Sequence, residues 1–113
     1  MSGLSTHVLD TARGGAAAGV GIVLEIGGAG SWREIARAAT DRDGRCAQLL
    51  PAGTPLEAAT YRLTFAVGAY FAGQGVASFH PQVLVVFEVR DPAQHHHVPL
   101  LLSPFGYTTY RGT

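Results

Sequence analysis

Apolar and polar residues alternate along much of this chain, and such alternation predicts short β-strands rather than long helices. Alternation is clearest in two stretches, whose apolar positions are Val20, Ile22, Leu24 and Ile26 in one and Tyr61, Leu63, Phe65 and Val67 in the other. Further strands are predicted over residues 4–9, 98–102 and 107–111. Residues 83–89 are apolar at nearly every position, which predicts a central strand buried on both faces.

Other patterns separate these strands. Residues 31–40 fit a helix by the spacing of their apolar residues and a strand by alternation, so the pattern alone leaves both open. Residues 68–75 are the best place for a short helix between two strands. Asp41-Arg42-Asp43-Gly44 has the composition of a turn, which predicts a pair of strands around it. Seven or eight short strands predict one domain, residues 1–113, built as an antiparallel β-sandwich.

The amino-acid composition excludes several classes of protein. Charged residues make up 14% of the chain, below the roughly 25% of ordinary soluble domains, so we expect another copy of the chain to cover part of its surface. The formal net charge is zero without any basic run, which argues against nucleic-acid binding. Cys46 is the one cysteine, which excludes an internal disulfide. Because the chain has no signal-peptide pattern and no apolar run of about 20 residues, we expect it in the cytoplasm, away from membranes.

Five histidines stand out in a sequence with few charges. Three are consecutive, and in a strand His95 and His97 would share one face while His96 points to the other. The three can be solvated at the start of a strand, can serve catalysis or substrate binding, or can bind a metal with His7 as a third ligand. Arg45, taken alone, is typical of a surface charge.

Hydroxyl residues and the chain end are further candidates for a site. Three hydroxyl residues could be nucleophiles if a base were paired with them: Ser5, Thr6 and Ser103. None lies in a recognisable local motif such as a nucleophile elbow. The ending Tyr110-Arg111-Gly112-Thr113 follows an alternating run, so we expect it to be tied into a sheet and able to line a site.

Four segments occur in the order of one protein family. They are LSTHVLDT at residues 4–11, TDRDGR at 40–45, HHHVPLLLSP at 95–104 and YTTYRGT at 107–113. Together they cover nearly the whole chain, and they resemble the 5-hydroxyisourate hydrolases, the transthyretin-related proteins of purine breakdown. The resemblance implies an all-β fold, a transthyretin-like eight-stranded antiparallel β-sandwich with one short helix, in which residues 31–40 form a strand. It also implies a homotetramer with active sites where two dimers meet, and no metal or other cofactor.

The resemblance also assigns roles to single residues. The catalytic positions are matched by His7, Arg45 and His97, and the positions beside the substrate by Tyr110 and Thr113. His97 is chosen over its neighbours because it directly precedes the VPLLL run. The family pattern usually has Ser, Tyr and an aromatic residue where this chain has Thr113, His96 and His80. Of these, Thr113 alone belongs to the site, where it keeps the hydroxyl and adds a methyl group.

The implied activity is hydrolysis of 5-hydroxyisourate to 2-oxo-4-hydroxy-4-carboxy-5-ureidoimidazoline in urate breakdown, and the residue types fit it. Histidine, with a pKa near 6.5, suits proton transfer from water at neutral pH. Arginine stays charged and can stabilise the oxyanion formed when water attacks a ring carbonyl. Which of His7 and His97 is the base stays open. The alternative is a non-catalytic, transthyretin-like small-ligand binding protein, which would have little use for this set of polar residues.

Overall fold

Nine strands and one short helix form the structure, a computed structural model that describes residues 3–113. In chain order they are β1 (Gly3–Asp10), β2 (Gly15–Ala16), β3 (Gly21–Gly28), β4 (Ser31–Ala39), β5 (Arg45–Cys46), β6 (Thr60–Phe65), α1 (Val67–Ala72), β7 (Val83–Glu88), β8 (His95–Leu102) and β9 (Tyr107–Thr109). Because β2 and β5 have only two residues each, the longer strands agree in number with the seven or eight expected.

The strands form two sheets. The first has the order β2-β1-β8-β9, and β5 pairs with β1 on the same edge as β2. The second has the order β4-β3-β6-β7. Strands β1 and β8 run parallel, while the other pairs are antiparallel. The predicted all-β sandwich with one short helix is confirmed, with one parallel pair in an otherwise antiparallel arrangement.

The core lies between the sheets and uses the positions that alternation predicts. Leu24 and Leu63 are fully buried in the second sheet, as are Val8 and Leu100 in the first. Burial of a side chain of this size contributes about 1.5–3 kcal/mol to folding relative to leaving it exposed. Apolar contacts between the sheets therefore hold β1 and β8 in place, and these two strands carry the predicted site residues His7 and His97.

The prediction of a doubly buried central strand at residues 83–89 is wrong. β7 lies at the edge of the second sheet, where Val83 and Val85 face the core. The alternate residues Leu84 and Val86 point outward and are 41% and 57% exposed. The apolar pattern did reflect two apolar faces, but one of them is not covered by the described part of the chain.

Residues 31–40, whose pattern fitted both helix and strand, form strand β4 as the resemblance implied. The reason for the ambiguity is an irregularity in its pairing with β3. Leu24 pairs with Ala36, and the next residue, Glu25, pairs with Glu34, so Ile35 is an extra residue. Such a bulge shifts the alternation from one side of the strand to the other, which breaks the period of two.

The predicted turn at residues 41–44 is present. A carboxylate oxygen of Asp41 accepts hydrogen bonds from the backbone N–H groups of Asp43 and Arg45, both at 2.9 Å. The turn connects β4 in the second sheet to β5 in the first, so the expectation of a strand pair around it is wrong. Arg45 instead begins the short strand that pairs with β1.

Helix α1 follows β6 directly and agrees with the helix expected at residues 68–75. Val67 and Phe71 are its buried residues, so Val67 joins the core from the helix and not from a longer strand. No helix within residues 3–113 has the length and apolar character needed to cross a membrane.

We expect replacement of Gly44 by Ala to destabilise the fold by about 2 kcal/mol or more. Gly44 has a φ of 75°, and a Cβ atom there would collide with the carbonyl oxygen of Val8. The strained conformation and the collision act together, because the turn packs directly on β1. Urea unfolding of wild type and variant measures the difference.

The matched control is Gly53→Ala. Gly53 has a similar φ of 82°, but no atom outside residues 52–54 lies within 4 Å of the position its Cβ would take. The control therefore has the backbone strain without the collision, and a cost of about 1 kcal/mol is expected. Equal destabilisation by the two variants would contradict the close packing of the turn against β1.

Candidate active site

Strand β1 lies between β8 and β5, and this arrangement collects the predicted residues on one face of the first sheet. Ser5 is opposite His97 in the pairing with β8, and His7 is opposite Arg45 in the pairing with β5. Residues 4, 6 and 8 of β1 are buried toward the core. Because side chains alternate along a strand, residues 5 and 7 point to the outer face of the sheet.

A surface depression at this face brings together residues from β1, β5, β8 and the chain end. Its lining, by which we define the histidine depression, is Ser5, Thr6, Arg45, Ala47, His95, His97 and Thr113. Three of the five predicted site residues are in this lining, namely Arg45, His97 and Thr113. His7 lies beside it through its pairing with Arg45.

The chain end is tied to β8, as expected. The backbone N–H of Gly112 donates to the carbonyl oxygen of His97 at 2.8 Å, forming an isolated bridge. A Cβ atom on Gly112 would lie 2.7 Å from Cδ2 of the His97 ring. Glycine therefore permits the close approach that places Thr113 at the depression.

His7 and Arg45 are connected through the turn at residues 41–44. Nε2 of His7 lies 2.9 Å from the carbonyl oxygen of Asp43. A carbonyl oxygen can only accept, so Nε2 carries a proton and donates it. Within residues 3–113, Arg45 makes no ion pair. Its charge is thus available to an anionic group in the depression.

Ser5 was a candidate nucleophile without a visible partner, and the structure gives it two. Its hydroxyl lies 2.7 Å from Nε2 of His95 and 2.8 Å from Nδ1 of His97. The serine precedes these histidines by 90 and 92 residues. The signal that could have found it is the parallel register of β1 with β8, which sequence alternation does not reveal.

The pKa of His97 is lowered from its ordinary value, mainly because burial disfavours the charged imidazolium. Electrostatic repulsion from His7 and His95, when they are protonated, and from Arg45 lowers it further. His97 is therefore neutral at neutral pH and able to accept a proton.

Tyr110 is the predicted site residue that a single chain does not place in the histidine depression. It is 56% exposed and lines a separate groove whose other walls include Val86, Phe87 and Val98. Its assignment beside the substrate stays a prediction.

The remaining histidines have separate surroundings. His96 is only 4% exposed, and its Nδ1–H donates to the carbonyl oxygen of Gln94 at 2.9 Å. His80 packs edge-on against Phe79 and Tyr107. Among the residues that the structure describes, no group of three or more His, Cys, Asp or Glu side chains is arranged to hold a metal ion.

Comparison with known proteins places the chain in a family. The model described as "Transthyretin: HIUase/Transthyretin family" matches residues 4–112. The chain belongs to this family. This confirms the resemblance seen in the four sequence segments.

Several family members are similar over their full length. The 5-hydroxyisourate hydrolase of Caulobacter vibrioides is 44% identical, with 100% of both chains covered. The solved structure of Klebsiella pneumoniae 5-hydroxyisourate hydrolase has a TM-score of 0.87 and 37% identity, again with 100% of both chains covered.

Two other relatives differ in length or in ligand. The chain spans 37% of the Arabidopsis thaliana uric acid degradation bifunctional protein TTL, which is 42% identical over 97% of this chain. Sea bream transthyretin, solved in complex with thyroxine, has a TM-score of 0.88 and 34% identity, with 97% of this chain and 94% of that chain covered. The fold alone therefore does not distinguish an enzyme from a carrier, so the distinction has to come from the polar residues of the histidine depression.

We expect His97 to titrate below the ordinary histidine pKa of about 6.5, and Arg45→Met to raise its pKa by removing a nearby positive charge. Imidazole shifts followed by NMR across pH measure both values. Arg37→Met is the matched control, since Arg37 pairs with Glu34 and is not among the groups that shift His97. An unchanged pKa in Arg45→Met would refute the electrostatic contact.

The lowered pKa of His97 also predicts that the free energy of unfolding falls as pH drops below about 6.5, because the unfolded chain then binds the proton more readily than the folded chain.

Proposed function

We propose that this chain hydrolyses 5-hydroxyisourate to 2-oxo-4-hydroxy-4-carboxy-5-ureidoimidazoline, a step of urate breakdown. The observation that carries the proposal is the meeting of His97, Arg45 and Thr113 in the histidine depression, with His7 beside it. Support also comes from relatives named 5-hydroxyisourate hydrolase, which this chain covers over 91% and 100% of their length at 45% and 44% identity.

In the proposed mechanism His97 is the general base. Its lowered pKa keeps the ring neutral at pH 7, and it lines the depression where substrate and water would meet. His7 is the weaker candidate because its Nε2 is engaged with the carbonyl oxygen of Asp43. We assign His7 to holding the turn that carries Arg45 and to the electrostatics of His97. Activity is then expected to fall as pH drops through the pKa of His97.

Arg45 and Thr113 complete the proposed site. The guanidinium of Arg45 is exposed and remains charged, so it can stabilise the oxyanion produced when water adds to a ring carbonyl. The Thr113 hydroxyl can donate to or accept from the polar edge of the planar substrate. Compared with the Ser usual at this position of the family pattern, Thr113 keeps the hydroxyl and adds a methyl group.

The second candidate function is that of a small-ligand carrier, favoured by the similarity to sea bream transthyretin in complex with thyroxine. A carrier of a largely apolar ligand needs an apolar cavity with few polar groups. The lining of the histidine depression instead includes two histidines, one arginine and three hydroxyl residues. This lining favours the hydrolase.

We further propose a homotetramer in which two dimers meet over the histidine depression. Support comes from the edge strand β7, whose outward residues Leu84 and Val86 are apolar and exposed. At the edge of the first sheet, Tyr107 of β9 and the nearby Phe105 are exposed as well. Free edges with apolar side chains are normally covered in solution. The cytoplasmic location expected from the sequence stays a prediction.

The central test is the rate at which 5-hydroxyisourate, generated from urate in place, loses its ultraviolet absorbance. Wild-type protein is expected to accelerate this decay, and His97→Asn to lower kcat/KM by about 100-fold or more, since general base catalysis contributes 10²–10⁴. His80→Asn, a change of the same type outside the depression, is the control and should keep full activity. No acceleration by wild type would refute the proposed function, and full activity in His97→Asn would refute the assigned base.

The oligomeric state is tested by light scattering coupled to size-exclusion chromatography. Wild type is expected at about four times the chain mass of 11.8 kDa. Val86→Glu places a charge on the outward face of β7 and should lower the mass toward the monomer or dimer. Gln74→Glu, on an exposed loop after α1, is the control and should leave the mass unchanged. A monomeric wild-type protein would refute the proposed homotetramer.

A further inference from the structure

The hydroxyl of Ser5 occupies an unusual position between two imidazoles. It contacts Nε2 of His95 and Nδ1 of His97 at hydrogen-bond distance, and Ser5 itself is only 8% exposed. A hydroxyl has a single proton to donate, and it accepts through oxygen lone pairs. Because both contacts are present together, Ser5 donates to one ring and accepts from the other.

The direction of this pair of hydrogen bonds decides whether His97 can act as a base. If Ser5 donated to Nδ1 of His97, the neutral ring would carry its proton on Nε2, and that nitrogen could not take another. If Nδ1–H of His97 donates to Ser5, Nε2 is free to accept. No group within residues 3–113 forms a hydrogen bond with this Nε2. If His97 is the base, its Nδ1–H must donate to the Ser5 hydroxyl, and the Ser5 hydroxyl must donate to Nε2 of His95.

The two histidines differ in their exposure to water. His97 is partly buried, and the groups able to carry positive charge beside it are Arg45 from β5, His7 from β1 and His95 from β8. His95 is exposed, so water solvates its imidazolium form. Water can therefore solvate a positive charge at His95 better than at the partly buried His97, one hydrogen-bonded step away.

We propose that Ser5 and His95 are positioning residues that form a proton relay with His97, a step that rests on the proposed hydrolase function. When water attacks the ring carbonyl, its O–H bond breaks and the proton goes to Nε2 of His97. The Nδ1 proton of His97 moves to the Ser5 oxygen, and the Ser5 proton moves to Nε2 of His95. The positive charge then lies on His95.

The relay returns to its starting state when the ring C–N bond breaks. Nε2–H of His97 protonates the leaving nitrogen. The Ser5 proton moves back to Nδ1 of His97, and the Nε2 proton of His95 moves back to Ser5. Over the cycle the hydroxide of water joins the carbonyl carbon and its proton joins the nitrogen, so no other reactant is needed.

Ser5→Ala tests the relay. It is expected to lower kcat by about tenfold or more while KM changes by less than about twofold, because proton transfer and not substrate binding is impaired. Ser5→Thr keeps the hydroxyl and is the matched control, which should retain most of the activity. Unchanged kcat in Ser5→Ala would overturn the relay.

His95 variants separate proton transfer from simple support of Ser5. In His95→Gln the side-chain oxygen can still accept from Ser5 but cannot hold a positive charge, so kcat should fall as in Ser5→Ala. In His95→Ala, added imidazole should restore part of the lost rate, since the position is open to solvent. Full activity of His95→Gln, or failure of imidazole to restore any rate, would leave Ser5 and His95 as a structural pair and overturn the relay.

A measurement without substrate keeps the two proposals distinguishable. Nitrogen-15 NMR of the imidazoles should find the neutral His97 ring protonated on Nδ1 in wild type and a mixture of both forms in Ser5→Ala. Predominant protonation on Nε2 in wild type would refute the relay whatever the activity. A wild type with no hydrolase activity refutes the proposed function, whereas an active wild type with active Ser5→Ala refutes only the relay.

Discussion

The parallel pairing of β1 with β8 is the constraint on which the candidate site depends, because it joins the first strand to a strand near the end of the chain. The pairing runs without interruption from Gly3 opposite His95 to Asp10 opposite Leu102. A slip of one residue would turn every side chain of one strand to the other face. The buried residues Val8 and Leu100 prevent such a slip, since it would expose them to water. Apolar side chains without chemical function thus fix the distances between the polar ones.

The other walls of the histidine depression are attached to this pair of strands. The backbone N–H of Val8 donates to the carbonyl oxygen of Gly44 at 2.7 Å, which fastens the turn before Arg45 to β1. The bridge between Gly112 and His97 fastens the chain end to β8. Both attachments use backbone hydrogen bonds and a glycine whose missing side chain allows close approach. The geometry of the site is therefore set by the first sheet, to which both segments are attached.

The sequence correctly predicted the elements in which the alternation of apolar and polar residues runs without interruption. The alternating stretches that became β3 and β6 were found from period two alone, and the short helix was found as a break between strands. Residues 31–40 could not be decided because the extra residue Ile35 breaks the period. The prediction that residues 83–89 are buried on both faces was wrong because an apolar pattern does not tell whether each face is covered by the same chain or by another one.

The site was predicted through family resemblance rather than through pattern. Arg45 alone looked like a surface charge, and His97 could not be distinguished from its neighbours without the segment that follows it. The structure brings both to one depression, but it leaves Tyr110 in a separate groove of the single chain. Ser5 was a candidate from sequence, but its partners were not, because they lie 90 and 92 residues away and only the register between strands connects them.

Arg45 has two effects in the proposed reaction that at first oppose each other. It stabilises a developing oxyanion, and it also disfavours a positive charge on His97, whose pKa it helps to lower. Before water attacks, the second effect keeps His97 neutral and available as a base. As the oxyanion forms, its negative charge offsets that of Arg45, so the affinity of His97 for a proton rises in the same step in which the proton must leave water. One fixed cation can thus keep the base free beforehand and stop opposing its protonation during the reaction.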